Sequence, residues 1–227
     1  MLSFQDLIDN LYCLPMIDTP FGKKQTIYAD FTASGRPHRW IEDYIHRKIY
    51  PYYANTHSNA SMGKRMAALI ADARSKIKRS MNIPEEYSLL FTGNGCSCAI
   101  NHFIHILDLP NSEKDSSVIF ITEAEHNSNY LPWKELPVKL VICKLNPNTG
   151  ILDMDLFKQK LEEHKSFKTK VISFIACSNI IGVRQPVKEI TKLGHQYGFT
   201  VAFDFAANAP YDKIDVKETD IDAVSYT

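Results

Sequence analysis

Three short segments carry side chains able to do chemistry. Val201-Ala202-Phe203-Asp204 is an apolar, strand-like run that ends on a carboxylate and is followed at once by Phe205-Ala206-Ala207. A carboxylate leaving a buried strand is costly to desolvate unless a cation or hydrogen-bond donors meet it. Two readings of Asp204 stay open. In the structural one a backbone amide, a Lys or an Arg is its partner; in the functional one it stands at the C-terminal edge of a parallel sheet, where open α/β folds bind ligands. The second segment is Ser117-Val118-Ile119-Phe120-Ile121-Thr122, which reads as a buried strand. Glu123 to Asn129 follows as a polar loop before Tyr130-Leu131-Pro132-Trp133 starts a new element. His126 therefore also sits just past a strand end. Alone it is an ordinary solvated loop histidine, but a flat imidazole can lie against an aromatic ligand while an Asp reaches the ligand's ring edge. The third segment runs from the strand-like Leu89-Leu90-Phe91-Thr92 through the turn Gly93-Asn94-Gly95 into a helix from Cys96-Ser97 onward. A strand, a glycine turn and a helix N-terminus present N–H groups and a positive dipole end to an anion such as phosphate. The third Gly of a dinucleotide-binding fingerprint is missing, which disfavours nucleotide binding.

The elements that must position these residues follow from periodicity. Helices are expected near Phe4–Leu11, Arg39–Ile49, Lys64–Met81, Ser97–Leu107, Met154–Glu163 and Val187–Tyr197. Strands are expected near Leu89–Thr92, Val118–Thr122, Lys139–Cys143, Val171–Ala176, Thr200–Asp204 and Ala223–Tyr226. Short apolar runs alternating with helices predict an α/β fold, a three-layer sandwich around a mostly parallel sheet. With 227 residues and 44% hydrophobic side chains the chain can bury one substantial core. The expected organisation is an N-terminal helical extension over 1–27 and one large domain over 28–227.

At these segments the chain resembles the class V aminotransferase and cysteine desulfurase group of fold-type I pyridoxal phosphate enzymes. Glu125-His126-Asn127-Ser128-Asn129-Tyr130-Leu131-Pro132-Trp133 is similar to the group's Glu-His-(His/Asn)-(Ser/Ala)-Asn-x-x-Pro-Trp motif, whose His stacks on the cofactor ring. Ser178-Asn179-Ile180-Ile181-Gly182 is similar to its Ser-Asn-x-x-Gly motif, whose Asn lies beside the cofactor's phenolic oxygen and the substrate. Asp204 matches the Asp that bonds the pyridine nitrogen. The resemblance runs from about Tyr28 to Thr227 and implies an incomplete large domain of a pyridoxal-phosphate-dependent transferase fold. His126 is then the catalytic candidate, and Gly95, Cys96, Ser97, His126, Asn179 and Asp204 are the cofactor-binding candidates. The N–H groups of Cys96 and Ser97 and the Ser97 hydroxyl would hold the phosphate. Asp204 would keep the ring nitrogen protonated and the cofactor electron-withdrawing.

Departures from the group bear on activity. Relatives often carry Gln three residues after the Asp, where this chain has Ala207; Cys96 also differs from the usual Gly-x-(Thr/Ser) sequence while keeping the backbone donors. In the group, the strand beginning Asp222-Ala223-Val224 runs into a Ser-x-His-Lys motif whose Lys carries the cofactor. Thr227 falls at or beside that Ser, and Lys213 comes too early to substitute. The expectation is weak, non-covalent binding of pyridoxal 5'-phosphate by a protein that acts on an amino acid, by transamination or a desulfuration or lyase reaction, and that is incomplete as it stands. The alternative is a catalytically inactive remnant or pseudoenzyme serving as a binding or dimerisation module. Asn55-Thr56-His57-Ser58 and Tyr28 to Gly35 are weaker resemblances to pocket-bordering loops, and for His57 a satisfied loop histidine is the default.

Composition narrows the partners. Lys+Arg and Asp+Glu are equal at 26 each, so no basic field points to nucleic acid. Neither a membrane-length apolar run nor a basic n-region before an apolar core occurs, and a soluble, cytoplasmic protein is expected. The five cysteines have no metal-ligand spacing, so no metal site is expected. The aromatic run Ile49-Tyr50-Pro51-Tyr52-Tyr53 suits an interface, and the family resemblance implies a homodimer.

Overall fold

The structure is a computed structural model that describes residues 4–113 and 116–226. Met1 to Ser3 and Thr227, on which part of the sequence reading fell, lie outside the described residues. The chain forms two compact units, Met1–Ile77 and Lys78–Thr227. The division expected after residue 27 falls inside the first unit.

In the first unit, helix α1 (Phe4–Asp9) precedes an antiparallel hairpin that periodicity had not indicated. Strands β1 (Met16–Thr19) and β2 (Gly22–Gln25) pair from Met16↔Gln25 to Thr19↔Gly22. Their turn needs Gly22 at φ +87, and the Thr19 hydroxyl, which accepts from Phe21 N–H and donates to the Gly22 carbonyl, closes it. Helix α2 (Arg39–Tyr44) is capped by His38, whose Nδ1 accepts from Trp40 N–H. The helical run expected to Ile49 widens into a π-turn over Ile45–Ile49 and ends in a 3-10 turn over Tyr50–Tyr52, where Pro51 cannot supply an amide. In α3 (Ser61–Ser80) a Cβ on Gly63 would meet the Ser58 carbonyl oxygen at 2.5 Å. That close approach fixes the loop carrying His57, whose N–H donates to the Asn55 side chain.

The second unit contains α4 (Gly95–Ile106), β3 (Ser117–Thr122), α5 (Asn127–Lys134), β4 (Lys139–Cys143), α6 (Met154–Glu163), β5 (Thr169–Ile175), α7 (Val187–Gln196), β6 (Thr200–Asp204), α8 (Val216–Thr219) and β7 (Ala223–Ser225). The five strands form one sheet in the order β4-β3-β5-β6-β7, all parallel. This is the expected three-layer α/β sandwich. Alternation along the strands separates its two faces. On one face Ile119, Ile121 and Val171 pack with Cys96, Ile100 and Ile104 of α4 and Trp133 of α5. On the other, Phe120 and Phe174 meet Phe157 of α6, and Phe174 meets Phe203. There α7 lies close enough that a Cβ on Gly194 would stand 2.8 Å from Val201 Cγ2.

One expected strand is absent. Leu89–Thr92 is irregular chain outside the sheet, with Leu90 52% and Phe91 55% exposed. An apolar run signals burial, whereas a strand also requires a neighbouring ladder, and this segment pairs with none of the five strands. The loop expected over 123–129 is shorter, because α5 begins at Asn127 and accommodates Pro132.

Candidate functional site

The functional candidates of the second unit gather at the C-terminal ends of three neighbouring strands. β3 leads to His126, β5 leads to Asn179 and β6 ends on Asp204. β3 connects outward to β4 by way of α5, while β5, β6 and β7 extend the sheet the other way. The direction in which strands are added to the sheet therefore reverses between β3 and β5, where an open parallel sheet leaves a crevice for ligands.

Asp204 is 3% exposed, and its Oδ1 accepts from the Cys96 thiol at 2.9 Å and from Ala206 N–H at 2.8 Å. Both donors are neutral, so burial of this carboxylate is met by hydrogen bonds. A thiol has one proton to give; with that proton committed to Asp204, the Ser225 hydroxyl at 3.1 Å donates to the sulfur. Burial first, and then the Asp204 charge, push the Cys96 thiol far above its usual range, so it remains a donor. Cys96 lies in the first turn of α4, behind the Gly93-Asn94-Gly95 turn, whose glycines adopt φ +100 and +70. The first N–H groups of a helix have no intrahelical acceptor, and the Asn94 side chain does not cap them. The Cys96 and Ser97 amides thus lie in the first turn of α4, one side chain away from Asp204.

His126 is exposed and caps α5: its Nδ1 accepts from Ser128 N–H at 3.2 Å and lies 2.8 Å from Ser128 Oγ. An amide can only donate, so the neutral ring carries its proton on Nε2. Asp204 and the helix that His126 caps share a face of the sheet. Ile175, Asp204 and Ser225 are in register, Asp204 meets α4, and α4 packs with α5 in one core. Asn179 is exposed in the turn after β5. Its neighbour Ser178 builds that turn, the hydroxyl accepting from Ile180 and Ile181 N–H at 3.3 Å and the carbonyl from Gly182 N–H at 2.9 Å. Gly182, at φ +67, supplies the conformation that the turn requires.

The structure thus joins Cys96, flanked by Gly95 and Ser97 in the first turn of α4, to Asp204 and sets His126 and Asn179 past adjacent strand ends. Lys213 is engaged with Asp215 at 3.2 Å. His57 and Tyr28 to Gly35 lie in the first unit. Sequence reasoning did not find Ser225, the side-chain role of Cys96 or the partners of Glu125. These depend on contacts 129, 108 and 50 residues apart along the chain. Among the described residues no group of three or more His, Cys, Asp or Glu is placed to hold a metal ion, and no helix is long and apolar enough to cross a membrane.

The family described as aminotransferase class-V matches residues 27–227. The chain belongs to the class-V aminotransferase family. Within it, a probable cysteine desulfurase of Streptomyces coelicolor is 31% identical over 209 residues, covering 88% of this chain and 49% of that protein. A probable cysteine desulfurase of Halalkalibacterium halodurans is 29% identical over 219 residues, covering 94% and 52%. This class-V aminotransferase chain spans about half the length of the curated relatives it matches. Among solved structures, the apo cysteine desulfurase of Thermococcus onnurineus superposes with a TM-score of 0.81 at 21% identity over all of this chain and 53% of that one. The Escherichia coli cysteine desulfurase CsdA gives 0.72 at 22%, over 88% and 50%. These likenesses establish the fold.

Family membership implies pyridoxal phosphate. The donor set fits it: an ionisable carboxylate supported by two neutral donors for a ring nitrogen, a glycine turn with helix N–H groups for a phosphate, and a flat imidazole and an amide at the flanking strand ends.

Proposed function

We propose that this chain is the cofactor-binding part of a pyridoxal-phosphate-dependent enzyme that acts on a small amino acid, with cysteine desulfuration as the reaction. The observation that carries the reading is the Cys96–Asp204 contact, which joins the anion-binding turn of α4 to the carboxylate that ends β6. The relatives named probable cysteine desulfurases support the substrate, and the structural neighbours support the fold that presents it.

Bound at this site, pyridoxal phosphate supplies an electron sink for bonds breaking at the substrate's α or β carbon. The chain's own residues do the rest. The N–H groups of Cys96 and Ser97 and the Ser97 hydroxyl bind the phosphate. Asp204 holds a proton at the ring nitrogen. His126 would lie against the ring and, with its proton on Nε2, could donate it towards the substrate. Asn179 binds on the side of the phenolic oxygen. Lys213 is engaged with Asp215, and weak, reversible binding by this chain is the reading tested below.

A cofactor titration followed in the visible absorbance, then borohydride reduction and peptide mapping, tests the reading. Reversible binding that Asp204→Ala abolishes, with no stoichiometric pyridoxyl label on a lysine, is the expected result. Absence of binding, or binding indifferent to Asp204→Ala, would refute it. Sulfide release from cysteine by the full-length protein, without keto-acid formation from other amino acids, is the outcome that desulfuration requires.

A further inference from the structure

Where the crevice opens, β3 and β5 stop pairing before either strand ends. Their register runs from Ser117↔Thr169 to Phe120↔Ile172, yet β3 continues to Thr122 beside β4 and β5 continues to Ile175 beside β6. Separation of two parallel strands leaves inward-facing amides without ladder carbonyls, and a buried unpaired amide costs about 1–3 kcal/mol. A single side chain meets that need. Glu125 Oε1 accepts from Thr122 N–H at 3.1 Å, from the Thr122 hydroxyl at 2.7 Å and from Ile175 N–H at 2.9 Å, bridging the gap between the strands. Its Oε2 accepts from Asn129 Nδ2 at 2.7 Å. Asn129, fully buried, also donates to the Ser173 carbonyl at 3.0 Å, while its Oδ1 accepts from the Ser173 hydroxyl at 2.7 Å and Trp133 Nε1 at 3.0 Å.

This network encloses the peptide that bears His126. On its N-terminal side the Glu125 carboxylate is tied to both strands. On its C-terminal side the His126 carbonyl accepts from Asn129 N–H at 2.8 Å, and the ring is held by its cap bond to Ser128. We infer that Glu125 is a positioning residue, whose carboxylate closes the gap between β3 and β5 and thereby sets the orientation of the His126 ring. Its importance for chemistry rests on the cofactor site proposed above; the clamp itself does not.

Glu125→Gln changes one feature of the clamp. The Gln carbonyl can still accept from Thr122 and Ile175, but its amide group faces the Asn129 amide, donor against donor. The double variant Glu125→Gln/Asn129→Asp gives the Gln amide an acceptor and keeps one for Trp133 Nε1 and the Ser173 hydroxyl, while the donor to the Ser173 carbonyl is kept only by the protonated carboxyl. The test is histidine NMR on cofactor-free protein at pH 8, with His126 assigned by His126→Gln, together with amide hydrogen exchange. Glu125→Gln is expected to shift the His126 ring resonances and speed exchange at Thr122 and Ile175 at least tenfold, and the double variant to return both towards wild type. Unchanged His126 resonances in Glu125→Gln, or exchange at Thr122 and Ile175 that does not speed up, would overturn the inference. Should Glu125→Gln not fold, wild-type exchange decides alone: slow exchange at Thr122 and Ile175, outside the β3–β5 ladder, supports the clamp, and fast exchange refutes it. A clamp that passes these tests in a protein that does not bind pyridoxal phosphate leaves the inference standing and removes the proposed function.

Discussion

Cys96 donates its thiol proton to Asp204 across 2.9 Å, linking the first turn of α4 to the end of β6. At a helix N-terminus a thiol is usually acidified. Here burial and the adjacent carboxylate outweigh the dipole and keep it protonated. Iodoacetamide at pH 8 should therefore label the exposed Cys13 in the folded protein and leave Cys96 unmodified until denaturant is added. Rapid native labelling of Cys96, read by peptide mass mapping, would show that the thiol is not held as described.

Glu125 gives the fold a pH dependence. Burial pushes its carboxyl up from 4.5 to about 7, against the pull of the hydrogen bonds from Thr122, Asn129 and Ile175. These partners are uncharged; Cys143, itself pushed up to about 12 chiefly by burial, is the titratable side chain that feels the Glu125 charge. A folded value above the unfolded one favours the protonated form in the fold. The contribution is thus fully present below about pH 4.5 and is lost as pH rises through about 7. Denaturant unfolding from pH 4 to pH 8 should show wild type losing up to about 3 kcal/mol relative to Glu125→Gln. A difference that stays flat over this range would contradict the assignment.

Packing of α7 on the sheet depends on the missing side chain of Gly194. A Cβ there would meet Ile172 Cδ1 at 2.6 Å and Val201 Cγ2 at 2.8 Å. The isoleucine tip can turn aside; the valine methyl on its short stem cannot. Gly194→Ala should cost about 1–3 kcal/mol despite alanine's better helix propensity. A thermal unfolding curve unchanged or raised would show that α7 can shift outward.

The Arg184–Asp212 pair has bidentate geometry, with two contacts of 2.7 Å, and holds Asp212 below the usual carboxylate range. Arg184 is 68% exposed, so solvent screens the pair. Arg184→Ala should cost under about 1 kcal/mol, and the loss should shrink in high salt.

What the sequence conveyed and what it hid divide along physical lines. β3, β5 and β6 are short, largely apolar runs between helices, and each was legible because a strand buried on both faces must be mostly apolar. The same rule misplaced Leu89–Thr92, since apolarity does not report whether a ladder neighbour exists. The hairpin of β1 and β2 was missed because it is solvent-exposed and has no apolar alternation to show. At the site, Asp204 and His126 were singled out by residue type and their places past strand ends, and Asn179 by the resemblance of Ser178-Asn179-Ile180-Ile181-Gly182 to a family motif. The clamp of Glu125 was not, because its partner amide on Ile175 comes close only once β3 and β5 have paired and parted.

The central claim is that the α4 N-terminus, His126, Asn179 and Asp204 form one cofactor site. A crystal structure of the protein with pyridoxal phosphate tests it most directly. The phosphate is expected on the N–H groups of Cys96 and Ser97, the ring nitrogen on the Asp204 carboxylate, the ring face against His126 and the phenolic oxygen towards Asn179. Cofactor bound with its phosphate away from α4, or with its ring nitrogen away from Asp204, would contradict it.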